Sequence, residues 1–206
     1  MAPRLEVADV ATPIGTFRVV YEGAKVRQVD LLERGLPMAS VPEGAVQRRP
    51  PFAAGSPPRQ VGEYFNGKRR SFTVDLPLDF ATPFDRDVYR ALLDVPAGAT
   101  VTYGELARSS GHGGAARAVG GSMHRNPIPI IIPCHRVVGE DESLTGFGLG
   151  LWRKRWLLQR EGAWPLKTHS AEGLRDPNQR TLDRSSGRAR TRGRSTGREA
   201  RSASPA

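Results

Sequence analysis

The chain's 206 residues and 22.4 kDa suit one compact domain or two small ones, and a 38% hydrophobic share supplies a core. The formal charge of +10 is uneven: residues 173–206 hold nine arginines against Asp176, Asp183 and Glu199, while residues 1–172 carry only +4. No run of 18 apolar residues offers a membrane span, MAPRLEVADV lacks a signal peptide's apolar stretch, and a single cysteine excludes an intramolecular disulfide, so a cytoplasmic protein with no membrane partner is expected.

Along the chain, Thr16–Tyr21 and Val26–Leu32 are β-rich runs around a Glu-Gly-Ala-Lys turn, a hairpin pattern. Residues 35–58, with six prolines, read as a loop or linker. RQVGEYFNGK fits a short helix ended by Gly67, with Val61, Tyr64 and Phe65 as its core face. RSFTVDLPL reads as a further strand. The expectation for residues 1–79 is a small α/β domain, a three-stranded sheet with a helix and no visible chemistry.

From Thr82 the pattern turns helical. Thr82 is placed as an N-cap, Pro83 at the first helical position, and Phe84, Val88, Ala91 and Leu92 on the apolar face. A short helix from Tyr103, ended by Gly111, is followed by a second over GGAARAVGGSMHRNP, closed by Asn126-Pro127. Short helix, glycine turn, short helix is the order of a helix-turn-helix. The second helix is nearly bare, with Arg117 its one long early side chain. Bareness of this kind fits either tight packing or close approach to a partner. GLWRKRWLLQREG reads as a strongly amphipathic last helix with Trp152, Trp156 and Leu157 near one face. Residues 80–165 form the second domain, and 166–206 an Arg-rich tail expected to be disordered.

The only cysteine, Cys134, lies in IPIIIPCHRVV beside His135 and Arg136. A thiol attacks as its thiolate, so a reactive cysteine needs a base, and the base needs an orienting group. Neighbours in an extended strand point to opposite faces, so His135 reaches Cys134 only through a turn or a bridging water. Glu161 is the candidate orienting carboxylate. Residue types and spacing alone favour an inert buried cysteine, since free cysteine is among the most buried residue types. His112, His124, His135 and His169 show no zinc-ligand spacing, so no metal is expected.

IPIIIPCHRVV, preceded by GGAARAVGGSMHRNP and VPAGATVTYGELA, closely resembles the active-site domain of the O6-alkylguanine-DNA alkyltransferases, also called methylated-DNA–protein-cysteine methyltransferases. TPIGTF and VGEYFNGKRRSFTVDL also resemble the N-terminal domain of bacterial members. The resemblance implies an α+β fold in which a helical C-terminal domain holds a winged helix-turn-helix and the acceptor cysteine. It implies direct-reversal repair of DNA: Cys134 takes the alkyl group from O6 of guanine, and conceivably from O4-alkylthymine, and keeps it, one turnover per molecule, with no cofactor. His135 would be the base acting through water, Glu161 its orienter, Tyr103 the proton donor toward the guanine ring, and Asn126 the hinge to the cysteine segment. Arg117 would fill the space left by an extruded base, with Tyr103, Gly104, Ala116 and Ala118 near the DNA. Pro129, Val137, Phe147, Gly148 and Leu149 would line the substrate pocket. The implied partner is double-stranded DNA containing alkylated guanine, met by a monomer in the cytoplasm (nucleoid-associated in a prokaryote), with cooperativity along DNA left open. Two alternatives share the fold: a lesion-binding protein without transfer, against which Cys134 argues, and a sensor whose methylated form regulates transcription, for which the sequence offers no second DNA-binding domain or second cysteine.

Departures from the family pattern limit the carry-over. The zinc site of some relatives lacks its cysteines here, and the Arg-rich tail has no counterpart in the pattern. The pocket loop reads TGFGLG, with Phe147 where others often have Tyr and Leu149 where they often have Gly. Added bulk at Leu149 predicts poor reaction with O6-benzyl groups and a preference for methyl.

Overall fold

A computed structural model describes residues 4–33 and 41–164. Strands β1 (Glu6–Thr12), β2 (Gly15–Glu22) and β3 (Lys25–Leu32) form an antiparallel meander, and β4 (Val46–Arg48) pairs parallel to β1, giving the order β3-β2-β1-β4. Alternation puts Ala8, Val10, Phe17, Val19, Tyr21, Val29 and Leu31 into the core.

The hairpin stands as read, but the sheet is four-stranded rather than three-stranded. The third strand is β1, not RSFTVDLPL, and the fourth comes from the proline-rich loop. Residues 70–78 make a single bridge at Lys25–Asp75, with Val26 N–H donating to Asp75 O (3.0 Å) and Asp75 N–H to Ala24 O (2.9 Å). Two causes keep this segment from extending along β3. Farther along that strand the outer edge is taken by Pro127, whose carbonyl accepts Val29 N–H at 2.9 Å. Gln60, buried in α1 (Pro57–Phe65), bonds both N–H and C=O of Thr73 as a strand would. Helix α1 starts two residues earlier than read, because Pro57 and Pro58 suit the first turn, where N–H groups have no helical partner. Val61, Tyr64 and Phe65 are buried as expected, with Phe65 stacked on Phe17 at 5.5 Å.

Helix α2 (Pro83–Leu93) starts as read, its Thr82 cap accepting Asp85 N–H at 3.1 Å. Strand β5 (Val101–Thr102) runs directly into α3 (Tyr103–Ser109), whose capping box pairs Thr102 with Glu105. Helix α4 (Ala116–His124) is tied to α2 by Asp85, which accepts from Ser122 Oγ (2.5 Å) and Arg125 Nη2 (2.7 Å). Strand β6 (Val137–Val138) pairs parallel with β5, bringing the start of α3 beside the cysteine segment.

The last helix, α5 (Leu151–Glu161), corrects the expectation of strong amphipathicity. Leu157 and Leu158 are buried, but so are Arg153 and Lys154: Lys154 spends its charge on backbone carbonyls, and Arg153 on backbone carbonyls and on the Glu33 carboxylate at 2.8 Å. Arg153 donates to Ile14 O and Leu149 O, each at 2.8 Å, joining the sheet to the pocket loop. One buried cluster runs from the sheet through α1 and α2 to α5, and the change of pattern near residue 80 falls inside it. Among the described residues no helix is long and apolar enough to cross a membrane. The tail, 166–206, lies outside the described residues.

Candidate active site

The cysteine segment is buried from Ile128 to Val138 and is not a regular strand. Ile130 has φ 75°, a region costly for a β-branched side chain, and it is held there by complete burial and by Ile132 N–H bonding Ile128 O at 2.9 Å. Pro133 then leads into a 3₁₀ turn, Cys134–Arg136. That turn resolves the strand problem: three consecutive side chains leave it in directions set by a helical rather than an alternating step.

Asn126, at the end of α4, organises the approach to the thiol. Its Nδ2 donates to Ile132 O (2.9 Å) and to Cys134 Sγ (3.2 Å), and its Oδ1 accepts Ile128 N–H (3.0 Å). Burial raises the Cys134 thiol, while the Asn126 bond, the Lys154 charge and nearby backbone N–H groups oppose the rise. The resting group is a thiol and needs a base to react.

Beneath it lies a buried charge cluster. His135 Nε2 meets Glu161 Oε1 at 3.1 Å, and Arg136 clamps the same carboxylate through Nη2 to Oε1 (2.7 Å) and Nε to Oε2 (3.0 Å). Tyr64 adds its hydroxyl to Oε1 at 2.8 Å. Burial resists the Glu161 charge, but the His135 and Arg136 bonds win and hold the carboxyl well below its usual range. Burial pushes His135 down despite that partner, so the imidazole is neutral near pH 7. Its Nδ1 is buried and has no hydrogen-bond partner among the described residues. A neutral imidazole anchored through Nε2–H leaves Nδ1 free to accept a proton.

A cavity of about 710 Å³ opens over Cys134 and is framed by Tyr103, Arg117, Gly120, Phe147 and Gly148. Tyr103 donates its hydroxyl to Thr145 O at 3.4 Å, and the next residue, Gly146, supplies the left-handed backbone of the loop there (φ 45°). Burial raises Tyr103, so it stays a proton donor. Lys154, fully buried, donates to Val137 O (2.5 Å) and to the same Thr145 O (2.6 Å); burial brings it down to about 8.

Residues 83–163 match the family model for the 6-O-methylguanine DNA methyltransferase DNA-binding domain. A methylated-DNA–protein-cysteine methyltransferase of Methanosarcina acetivorans is 40% identical over 152 residues, 74% of this chain and 95% of the relative. That of Salmonella typhimurium is 37% identical over 166 residues, 77% of this chain and 96% of its own. The chain belongs to the methylated-DNA–protein-cysteine methyltransferase family. Among solved structures, that of the Mycobacterium tuberculosis protein "OGT in complex with DNA" superposes with a TM-score of 0.64 at 36% identity, covering 77% of this chain and 93% of that one.

In a methyltransferase family named for a cysteine acceptor, the one cysteine of this chain lies on the cavity wall. Tyr103, Ala116, Arg117, Phe147 and Gly148 join it there. Pro129, Asn126 and Leu149 line a second cavity of about 320 Å³, which also reaches Cys134 and is floored by Val29 and Leu31 of β3. Leu149 therefore narrows this side chamber rather than the main opening. Val137 is a correction: fully buried and paired with Val101 in the β5–β6 ladder, it lines neither cavity. Gly104 and Ala118 also lie off both linings, on α3 and the exposed side of α4.

Several residues of the site were not assigned from the sequence. Arg136 was visible beside Cys134, and a buried carboxylate needing more donors than one imidazole points to it. Lys154 matches a lysine of the family pattern, which an exposed helix charge explains equally well, and Tyr64 reads as core; each is buried, but each also spends a polar group on the site. His124, exposed at the end of α4, lines both cavities.

Proposed function

We propose that this protein repairs double-stranded DNA by taking the alkyl group of O6-alkylguanine, methyl above all, onto Cys134, once per molecule. The observation that carries the reading is a lone thiol on the wall of a cavity roomy enough to take a base, backed by a neutral imidazole on a buried carboxylate. Helices α3 and α4 act as a helix-turn-helix. The small residues Ala116, Ala118 and Gly120 let α4 sink into the minor groove, and exposed Arg117 at its start fills the stack when the guanine swings out.

His135 Nδ1 takes the thiol proton through a bridging water, and Glu161, itself clamped by Arg136, holds the resulting imidazolium in place. The thiolate displaces guanine in line: the S–C bond forms, the C–O6 bond breaks, and the electron pair goes to the base. Tyr103 gives its proton to the guanine ring as charge develops there. Overall the thiol loses a proton and the guanine gains one, so the balance needs no cofactor. The carbon attacked is saturated, and no oxyanion hole is required. The thioether is stable, and one cysteine gives one turnover.

Incubation with a duplex containing O6-methylguanine, followed by intact-mass and peptide analysis, tests this reading. The protein gains one methyl group on the Cys134 peptide, and Cys134→Ser gains none. Unchanged mass with tight lesion-selective binding would identify a non-catalytic lesion binder instead.

A further inference from the structure

Oε1 of Glu161 accepts three donors: His135 Nε2, Arg136 Nη2 and Tyr64 OH. The first two come from the cysteine turn. Tyr64 comes from α1, 97 residues away, in the half of the chain whose sequence shows no chemistry. We propose that Tyr64 is a positioning residue of the alkyl transfer, its hydroxyl setting the basicity of Glu161 and through it that of His135. The inference rests on the alkyl-transfer reading above.

A tyrosine serving only as core would need no acceptor of this kind, because phenylalanine fills the same space. Tyr64 is 2% exposed and wedged edge-on to Phe65 (5.3 Å) and against Phe72 (5.4 Å), so its ring has little freedom and its hydroxyl is aimed. Each donor on Oε1 draws charge from the atom that faces His135 Nε2–H. With Tyr64 and Arg136 both donating, the imidazole faces a weakened acceptor and its protonated form gains less. It therefore remains a neutral base, ready for the thiol proton, instead of being trapped as imidazolium. The unpartnered Nδ1 is the atom that benefits.

Other charges facing the cluster are Arg136 from the turn, Lys154 and Arg160 from α5, Arg70 through its bond to Glu161 O (3.4 Å), and the thiol of Cys134. Tyr64→Phe leaves all of them in place. The sign follows directly: without the hydroxyl, Oε1 is the stronger acceptor, imidazolium is favoured, and His135 titrates at higher pH.

The test compares wild type, Tyr64→Phe and Tyr21→Phe, the last removing a buried hydroxyl on β2 beside Glu6. Two readouts are taken: imidazole titration by ¹⁵N NMR without DNA, and single-turnover methyl transfer against pH. In Tyr64→Phe the His135 titration and the acid limb of the rate both move up by roughly half to one pH unit, a rate loss of about 3- to 10-fold on that limb. Tyr21→Phe shifts neither. An unshifted imidazole in folded Tyr64→Phe, whatever its rate, overturns the proposal, and so does an equal shift in Tyr21→Phe. A wild type that takes no methyl group sinks the alkyl-transfer reading instead, and the NMR arm tells the two failures apart.

Discussion

Replacing Glu161 with glutamine removes the carboxylate bonded to His135 and Arg136 while keeping the shape of the side chain. The carboxylate accepts four hydrogen bonds, two from a guanidinium that is itself buried. A neutral amide has one accepting oxygen and turns donors toward Arg136, leaving a buried cation without its counter-ion. Losing one partner of such a pair costs about 3–5 kcal/mol, and the retained carbonyl places Glu161→Gln near the lower end. For a chain of this size that lowers the melting temperature by roughly 6–12 °C. The Glu161 carboxyl is depressed in the fold, so its contribution is complete above its ordinary value of 4.5 and is lost only as pH falls through the lower folded value. Thermal melts should therefore show a gap between wild type and variant that does not shrink from neutral pH to about pH 5 and closes only in stronger acid. Methyl transfer should slow about 100-fold or more, since the imidazolium loses its stabilising charge. A variant that melts with wild type at pH 7 would refute the claim that the ion cluster is a stabilising unit.

Asn126→Ala removes the bond to Cys134 Sγ and both backbone ties, so iodoacetamide labelling of the thiol should need higher pH and methyl transfer should fall about 10-fold or more. Arg117→Ala touches an exposed side chain: stability should change by less than about 0.5 kcal/mol, while repair of duplex DNA collapses and reaction with free O6-methylguanine base does not. Leu149→Gly widens the chamber beside Pro129 and should speed reaction with O6-benzylguanine; no gain there contradicts the assignment of that cavity to the alkyl substituent. Lys154, brought down to about 8 from 10.5, binds fewer protons folded than unfolded between those values. Stability relative to Lys154→Met should thus rise with pH from 8 to 10.5 in chemical denaturation, and a falling difference would contradict the unpaired buried ammonium.

Local signals carried much of this fold and site. Thr82-Pro83 marks a helix start in the sequence because capping is settled within a few residues. The cysteine motif carries Cys134 and His135 together, and Asn126 sits at the turn its proline demands. What the sequence hid is settled at long range. β1 and β4 are strands because of what they pair with, and 70–78 is not one because Pro127 and Gln60 already occupy the bonds it would use. Lys154 looks like a solvated helix charge until the carbonyls of Val137 and Thr145 converge on it. Tyr64 is read correctly as core, yet its hydroxyl meets Glu161 only after α1 docks beside α5. Val137 fails as a pocket residue for the same kind of reason, its place being fixed by pairing with β5.

The central claim is that Cys134 is a stoichiometric alkyl acceptor. Duplex DNA carrying isotopically labelled O6-methylguanine, in excess over protein and followed to completion, tests it most directly. The account predicts a plateau at one labelled methyl per chain, all of it on the Cys134 peptide, with an equal amount of unmodified guanine restored in the DNA. Label release beyond one equivalent, or methyl lost from DNA without appearing on Cys134, would contradict it.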